Sequence, residues 1–244
     1  MKTIHIELPK LDYTANESFK SLRTNLAFCG EDKKVISITS CTPNEGKTSV
    51  TLLLAASIAE TGKNVLLVDA DLRKSVLIGR TELGEEVKGL SHYLSRQEKI
   101  ENVIYQTNIP HFYITYAGKM PPNPAELLGG KHFDSFLSVV KDVYDYILID
   151  TPPLGSVIDS AIISEKCDGS ILVIEQGTIS YRFAQDVKNQ LSKSSAPILG
   201  VILNKVDLTK QGYGHYYGKY GRYGKYGKYG SYGSYGGSSD SKEN

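Results

Sequence analysis

The chain has 244 residues, 40% of them hydrophobic, and its formal net charge at pH 7 is +1. This length and composition allow one large domain with a sizeable core, or one domain with a tail, and the near-neutral charge argues against a general nucleic-acid-binding protein. Three widely spaced cysteines without a CxxC pair argue against a disulfide framework or a zinc site. The polar N-terminus argues against a signal peptide, and no apolar run approaches the about 20 residues of a membrane helix, so we expect a cytoplasmic protein.

The order of the predicted elements along the chain indicates an α/β fold. A helix over 16–28 precedes six short apolar runs, which are continuous rather than alternating and therefore typical of strands buried on both faces of a parallel sheet. The predicted strands cover 34–40, 64–70, 111–117, 144–150, 169–175 and 198–204. Amphipathic helices are predicted between them, over 47–62, 123–144, 159–167 and 180–194. This alternation predicts a mainly parallel sheet covered by helices on both faces.

The composition changes abruptly near Gly212, so we predict a domain over 1–210 and a tail over 211–244. From 212 to 237 the chain is rich in Gly and Tyr and has too little aliphatic surface to offset the entropy of ordering, which predicts disorder. A flexible chain of about 30 residues has an r.m.s. reach of ~30 Å, enough to meet a neighbouring subunit. Phenols between glycine spacers are candidate phosphate acceptors: Tyr213, Tyr216, Tyr217, Tyr220, Tyr223, Tyr226, Tyr229, Tyr232 and Tyr235.

A phosphate-binding loop is predicted between the first long strand and the helix that follows it. The strand runs into CTPNEGKTS, in which Gly46, Lys47 and Thr48 form the core of such a loop, although Cys41 replaces the usual first glycine. Backbone N–H groups and the helix N-terminus would point at the phosphates, Lys47 would supply positive charge, and the Thr48 hydroxyl can bind Mg²⁺. The candidate nucleotide-binding residues are Thr42, Pro43, Asn44, Glu45, Gly46, Lys47, Thr48 and Ser49, with Asn204 as a base contact after the last strand.

Three aspartates and an arginine extend this prediction to a metal-nucleotide site. The run VLLVDADLR places Asp69, Asp71 and Arg73 at alternate positions, so in an extended segment all three can converge on one site. The strand YILID ends in Asp150, where a P-loop enzyme holds the aspartate that orients magnesium. We expect Asp71 and Asp150 at the metal and Asp69 as a proton acceptor, and the nucleophile would decide between a kinase and an NTPase.

Together these motifs resemble the bacterial tyrosine kinases, specifically the stand-alone cytoplasmic kinases of Gram-positive capsule and exopolysaccharide systems. The resemblance covers nearly the whole chain and rests on the phosphate loop, on DADLR, on IDTPP, on GKMPPNPAELL (118–128) and on the tyrosine-rich tail. In the linker, Asn123 can cap a helix, Pro124 suits its first position, and Glu126 can complete a capping box.

The resemblance implies an ATP- and Mg²⁺-dependent tyrosine kinase that phosphorylates its own tail in trans. It implies Lys47 on the phosphates, Thr48, Asp71 and Asp150 at the metal, and Asp69 as the base, with Arg73 in the same motif. It also implies a transmembrane activator that recruits the kinase to the inner face of the plasma membrane, a cognate phosphatase, no nucleic-acid partner, and a role in capsular or exopolysaccharide synthesis and export.

The family assembles rings through an E-x-x-R-x-x-R pattern, which Glu17, Lys20 and Arg23 match here with a lysine in the middle. A lysine lacks the planar fork of arginine, so a solvated helix face is the alternative interpretation. The resemblance implies a homo-oligomeric ring in the unphosphorylated state. We expect tail phosphorylation to weaken subunit association, because each phosphate adds about −1.5 to −2 charges.

Three alternatives remain at this point. A GTPase is suggested by Asn204, Lys205 and Asp207, which fit N-K-x-D, although Thr-Pro-Pro rather than D-x-x-G follows Asp150. A partitioning ATPase would carry a lysine where this chain has Thr42. A scaffold without enzymatic activity would bind acidic polymers or single-stranded nucleic acid through its Tyr/Lys tail.

Overall fold

The fold is that of a computed structural model, described for residues 2–80 and 87–207. The chain divides into a unit that covers Met1–Lys205 and a second unit from Val206 onward, and the fold below is that of the first unit. The predicted tail over 211–244, its tyrosines and the predicted boundary at 210 lie outside the described residues.

Strands of the described residues form one eight-stranded sheet with the order β1-β4-β5-β3-β6-β2-β7-β8. They are β1 (Thr3–Ile4), β2 (Val35–Ser40), β3 (Val65–Asp69), β4 (Tyr105–Thr107), β5 (Phe112–Thr115), β6 (Tyr146–Asp150), β7 (Gly169–Glu175) and β8 (Ile198–Asn204). Neighbouring strands run parallel except β4 and β5, which are antiparallel. The predicted α/β fold with a mainly parallel sheet is therefore confirmed.

Helices cover both faces of this sheet. They are α1 (Tyr13–Ala27), α2 (Lys47–Ala59), α3 (Leu90–Leu94), α4 (Pro124–Gly129), α5 (Lys131–Val143), α6 (Asp159–Ser164) and α7 (Tyr181–Leu191). Side chains alternate along the strands, so Ile36 of β2 packs into the core under α1 and α2, whereas Val35 packs into the core under α3 to α6. A smaller core under α7 contains Leu172 and Leu191.

The sequence did not predict several short elements, and one predicted helix is two helices in the structure. Strands β1 and β4 and helix α3 have only two, three and five residues, too few for a periodic pattern. The helix predicted over 123–144 breaks at Gly130, whose extended backbone ends α4 and precedes α5. Pro124 takes the predicted first position of α4, but the side chain of Asn123 makes no capping hydrogen bond, so the capping box was wrong.

Two burial predictions were also wrong. Helix α2 is not amphipathic: ten of its 13 residues are buried, because it packs against both the sheet and α1. Strand β8 is not buried on both faces, since it lies at the edge of the sheet and exposes Val201 and Leu203.

The sheet order determines where the functional residues meet. Strands β3, β6 and β2 are adjacent and parallel, so their carboxyl ends lie at one edge of the sheet. The register places Asp69 directly beside Asp150, and the loop after Ser40 leads into α2 at the same edge. Ligands of open α/β sheets bind at this edge.

Candidate active site

The phosphate loop between β2 and α2 contains two residues with a left-handed backbone. Asn44 has φ of 68° and Gly46 has φ of 87°. A Cβ atom on Gly46 would lie 2.3 Å from Nδ2 of Asn204, so both the backbone conformation and the close approach require glycine there. Gly46 is followed directly by Lys47, the first residue of α2, so the N-terminus of this 13-residue helix faces the loop.

Side chains behind the loop fix its shape. The carboxylate of Glu45 is buried and accepts hydrogen bonds from the backbone N–H of Thr42 (2.7 Å) and of Glu175 (3.4 Å). The hydroxyl of Ser40 donates to the carbonyl of Thr42 at 2.8 Å. The side-chain amide of Asn204 donates to the carbonyl of Glu45 at 2.9 Å. Asn204, predicted as a base contact, therefore also holds the loop.

Cys41, which stands in place of the usual first glycine, is a packing residue. Its side chain is buried beside Leu154 and Leu172 in the core under α7. Burial, and to a lesser degree the charge of Glu45, raises the pKa of the Cys41 thiol to about 12. The thiol is therefore protonated at neutral pH, and the loop chemistry is left to its amides and to Lys47.

Lys47 lies between two of the predicted metal ligands. Its Nζ is 3.7 Å from Oδ2 of Asp71 and 3.8 Å from Oδ1 of Asp150, and 3.4 Å from the Thr48 hydroxyl. The side chains of Asp71 and Asp150 are only 8% and 2% exposed, so the ammonium group offsets two largely desolvated carboxylates. The structure thus brings together four residues that three separate motifs had suggested.

Asp69 is held beside this group with both carboxylate oxygens bonded. Oδ1 accepts from the backbone N–H of Asp71 at 3.2 Å, and Oδ2 accepts from the hydroxyl of Ser75. Burial raises the pKa of Asp69 to about 7, with a further contribution from the charge of Asp150, while the hydrogen bond from Ser75 opposes the rise. A carboxylate with this pKa can accept a proton near neutral pH.

Arg73 does not converge on this cluster in the way that the alternation had suggested. Its guanidinium makes two hydrogen bonds to Asp159, at 2.7 Å and 2.9 Å, and Asp159 is the fully buried first residue of α6. The chain leaves the extended conformation after Asp69, where β3 ends, so the period of two no longer applies. Arg73 therefore ties the loop after β3 to the helix that follows Asp150.

Sequence reasoning missed both Ser75 and Asp159. Ser75 is a single hydroxyl in a loop, six residues after Asp69, and Asp159 is 86 residues from Arg73. Neither residue belongs to a local pattern, so only the folded structure shows that they contact Asp69 and Arg73.

The donors present fit a magnesium ion. Mg²⁺ takes oxygen ligands and is held by one or two carboxylates together with the phosphates of its substrate. Asp71, Asp150 and Thr48 offer two carboxylates and a hydroxyl around Lys47. Among the described residues, no group of three or more His, Cys, Asp or Glu side chains is arranged to hold a metal by itself. The three aspartates lie together as the sequence analysis expected, with Asp71 and Asp150 around Lys47 and Asp69 beside Asp150.

The stretch expected to form a subunit interface makes contacts within its own chain. Nζ of Lys20 is 2.7 Å from Oε1 of Glu17 on the same face of α1. The Arg23 guanidinium donates to the carbonyl of Ser57 at 2.6 Å and lies 3.3 Å from the carboxylate of Glu60. Arg23 therefore joins α1 to α2.

Comparisons with known proteins agree with this geometry. A family model described as an AAA domain matches residues 33–196. The chain is 41% identical to tyrosine-protein kinase CpsD of Streptococcus pneumoniae serotype 4 over 216 residues, and the match covers 88% of this chain and 95% of that protein. It is 36% identical over 205 residues to tyrosine-protein kinase YwqD of Bacillus subtilis, which covers 83% of this chain and 86% of that protein. The chain belongs to the bacterial tyrosine kinases.

Solved structures place the kinase among P-loop nucleotide-binding proteins. The kinase domain of Escherichia coli tyrosine kinase ETK superposes with a TM-score of 0.75 and 34% identity, over 79% of this chain and 76% of that chain. MinD of Pyrococcus horikoshii complexed with Mg-ADP superposes with a TM-score of 0.60 and 28% identity, over 72% of each chain. The predicted family, fold and enzyme class are confirmed. No helix in the described part of this kinase combines the length and hydrophobicity needed to cross a membrane.

Proposed function

We propose that this kinase transfers the γ-phosphoryl group of ATP, with Mg²⁺, to tyrosines of its own C-terminal segment in another subunit. The observation that supports this most directly is the position of Lys47 between the carboxylates of Asp71 and Asp150, at the end of a phosphate loop and beside Asp69. Positive charge, two metal-binding carboxylates and a proton acceptor are the groups that phosphoryl transfer to a hydroxyl needs.

Each residue of the site has a role in this reaction. The loop amides from Asn44 to Ser49 and the N-terminus of α2 bind the phosphates, and Lys47 turns from the carboxylates toward the β- and γ-phosphate oxygens. When it is bound by Thr48, Asp71 and Asp150, Mg²⁺ neutralises charge on the phosphate oxygens. Asp69 accepts the tyrosine hydroxyl proton as the phenolic oxygen bonds to the γ-phosphorus and ADP leaves.

The phosphate acceptors that we propose are the nine tyrosines between 213 and 235. Adenine rather than guanine is the proposed base, with Asn204 beside it. Competition of ATP and GTP for binding tests this, because Asn204, Lys205 and Asp207 also fit the N-K-x-D pattern of GTPases.

The cellular role proposed here follows the CpsD-type relatives. The kinase acts in capsular or exopolysaccharide synthesis, in the cytoplasm, where the cytoplasmic end of a transmembrane activator recruits it to the membrane. A phosphatase reverses the modification, and unphosphorylated subunits assemble into a ring through the face of α1 that carries Glu17, Lys20 and Arg23. The support is the identity of 41% to CpsD over most of both chains.

Intact mass of the purified protein after incubation with ATP and Mg²⁺ tests the proposal. Successive additions of about 80 Da are expected for the wild type, since each is one phosphate group. The additions should be absent from Lys47→Met and from a chain truncated after Gln211. Lys63→Met, which removes an exposed lysine at the other end of β3, is the matched control and should be phosphorylated. Phosphate release without any addition would instead show a plain ATPase.

A further inference from the structure

We infer that Lys205 and Glu175 are positioning residues, which hold the phosphate loop in its binding conformation before the nucleotide arrives. A loop that turns its N–H groups toward a phosphate turns its carbonyl groups outward, and those carbonyls need donors. Two of them have donors from the end of β8. The Asn44 carbonyl accepts from Nζ of Lys205 at 2.9 Å, and the Glu45 carbonyl accepts from the side chain of Asn204 at 2.9 Å.

Glu175 sets the position of Lys205. Oε2 of Glu175 lies 2.7 Å from Nζ of Lys205. Glu175 is also paired with Asn204 in the register of β7 and β8, at the end of both strands. The backbone N–H of Glu175 also donates to the buried carboxylate of Glu45 at 3.4 Å. One end of the β7–β8 pair therefore contacts the loop through a backbone group and through two side chains. We name this arrangement of Glu175, Asn204 and Lys205 the strand-end brace.

The brace acts at the part of the loop that most needs support. Asn44 and Gly46 both have positive φ, and a left-handed conformation is unfavourable for a residue with a side chain. Hydrogen bonds to the carbonyls of Asn44 and Glu45 oppose relaxation of this turn, so less ordering remains to be done when phosphate binds. The ammonium of Lys205 is paired with Glu175, so it acts on the loop through its hydrogen bond to Asn44 rather than through net charge. Its removal should weaken nucleotide binding more than it slows the chemical step.

This inference rests on nucleotide binding at the loop, but it does not depend on which tyrosines accept phosphate. The experiment is calorimetric titration of ADP, with Mg²⁺, into the full chain. Lys205→Met should weaken ADP binding about tenfold, the effect of one hydrogen bond to a charged group, and Glu175→Gln should weaken it about threefold. Lys205→Arg keeps the donor and the charge and should remain within about threefold of the wild type. Lys188→Met, an exposed lysine of α7, is the matched control and should bind as the wild type does.

The outcomes separate the brace from the proposed function and from a role in folding. ADP affinity of Lys205→Met within twofold of the wild type would overturn the inference. An equal loss in Lys205→Arg and Lys205→Met would also overturn it, because a brace tolerates a second cationic donor. In steady-state assays Lys205→Met should raise KM for ATP more than it lowers kcat. A general loss of folded protein would instead lower kcat alone. If the wild type itself does not bind ADP, the proposed function fails instead.

Discussion

Asn44 shows how a single residue in the phosphate loop is constrained by its backbone. Its φ of 68° lies in the left-handed region, which glycine adopts freely and asparagine adopts more readily than most residues. Asparagine therefore fits this position of the loop, where a β-branched residue would not.

We expect the free energy of unfolding of Asn44→Gly to lie within about 0.5 kcal/mol of the wild-type value, and that of Asn44→Val to be lower by about 1–2 kcal/mol. A β-branched side chain is the least suited to positive φ, so the loss should come from the backbone rather than from a lost contact. Urea unfolding of both variants measures the difference. Equal stability of Asn44→Val and the wild type would show that the loop does not hold this conformation.

The ion pair of Arg73 and Asp159 gives a second prediction at the residue scale, because its two partners are buried unequally. The side chain of Asp159 is 0% exposed, whereas that of Arg73 is 37% exposed. Arg73→Met would leave a buried carboxylate without its partner and should cost about 3 kcal/mol of stability. Asp159→Asn should cost only about 1–2 kcal/mol, since the arginine left behind can reach water.

Urea unfolding of the two single variants and of the double variant Arg73→Met/Asp159→Asn tests this order. The double variant should be more stable than Arg73→Met alone, because it removes the unpaired carboxylate. If Asp159→Asn lost more stability than Arg73→Met, the unequal burial of the two side chains would not explain the cost of breaking the pair.

At the scale of elements, Asp168 joins three parts of the fold away from the active site. It precedes β7, and its Oδ2 accepts hydrogen bonds from the backbone N–H groups of Lys34 (3.0 Å) and Val35 (2.8 Å), where β2 begins. Its Oδ1 accepts from Nζ of Lys141 on α5 at 2.7 Å. Burial alone would raise the pKa of Asp168, but the hydrogen bonds from Lys141 and from these amides outweigh burial and hold the pKa below its usual value.

Asp168→Asn should therefore lower the free energy of unfolding at pH 7 by about 1–3 kcal/mol. A carboxyl whose pKa is lower in the folded state stabilises the protein above its unfolded pKa of 3.8 and loses that effect as the pH falls through the folded pKa. The difference between wild type and variant in urea unfolding should thus shrink below pH 3.8. Asp142→Asn, an exposed change on α5, is the control. A difference that stays constant from pH 7 to pH 3 would contradict the pairing.

At the scale of the whole molecule, charge in the tail should control assembly. Between 212 and 237 the tail has four basic side chains and no acidic one: Lys219, Arg222, Lys225 and Lys228. Three phosphates would add about −4.5 to −6 charges and reverse its sign. Size-exclusion chromatography should then show smaller assemblies for phosphorylated protein than for unphosphorylated protein. Lys47→Met incubated with ATP should elute as the unphosphorylated wild type does. Identical elution of the two wild-type forms would reject the prediction.

The sequence by itself determined the α/β class, the P-loop family and the positions of Lys47, Thr48 and Asp150. Each of these rests on a local signal: a continuous apolar strand followed by a loop or a carboxylate. The carboxyl ends of parallel strands meet at one edge of a sheet, so local signals of this kind also predicted that Asp71 and Asp150 would lie near Lys47. Where the pattern was too short or lay at an edge, as in β1 and β8, the prediction of the element or of its burial failed.

Only the tertiary structure decided which side chains support the site. Asp159 meets Arg73 across 86 positions, Glu175 meets Glu45 across 130, and Lys205 meets Asn44 across 161. Periodicity acts over a few residues, whereas these contacts depend on the strand order β3-β6-β2-β7-β8, which no local pattern specifies. The prediction that Arg73 shares a site with Asp69 failed for the same reason. The strand ends at Asp69, and Arg73 pairs with the buried carboxylate of Asp159 on α6.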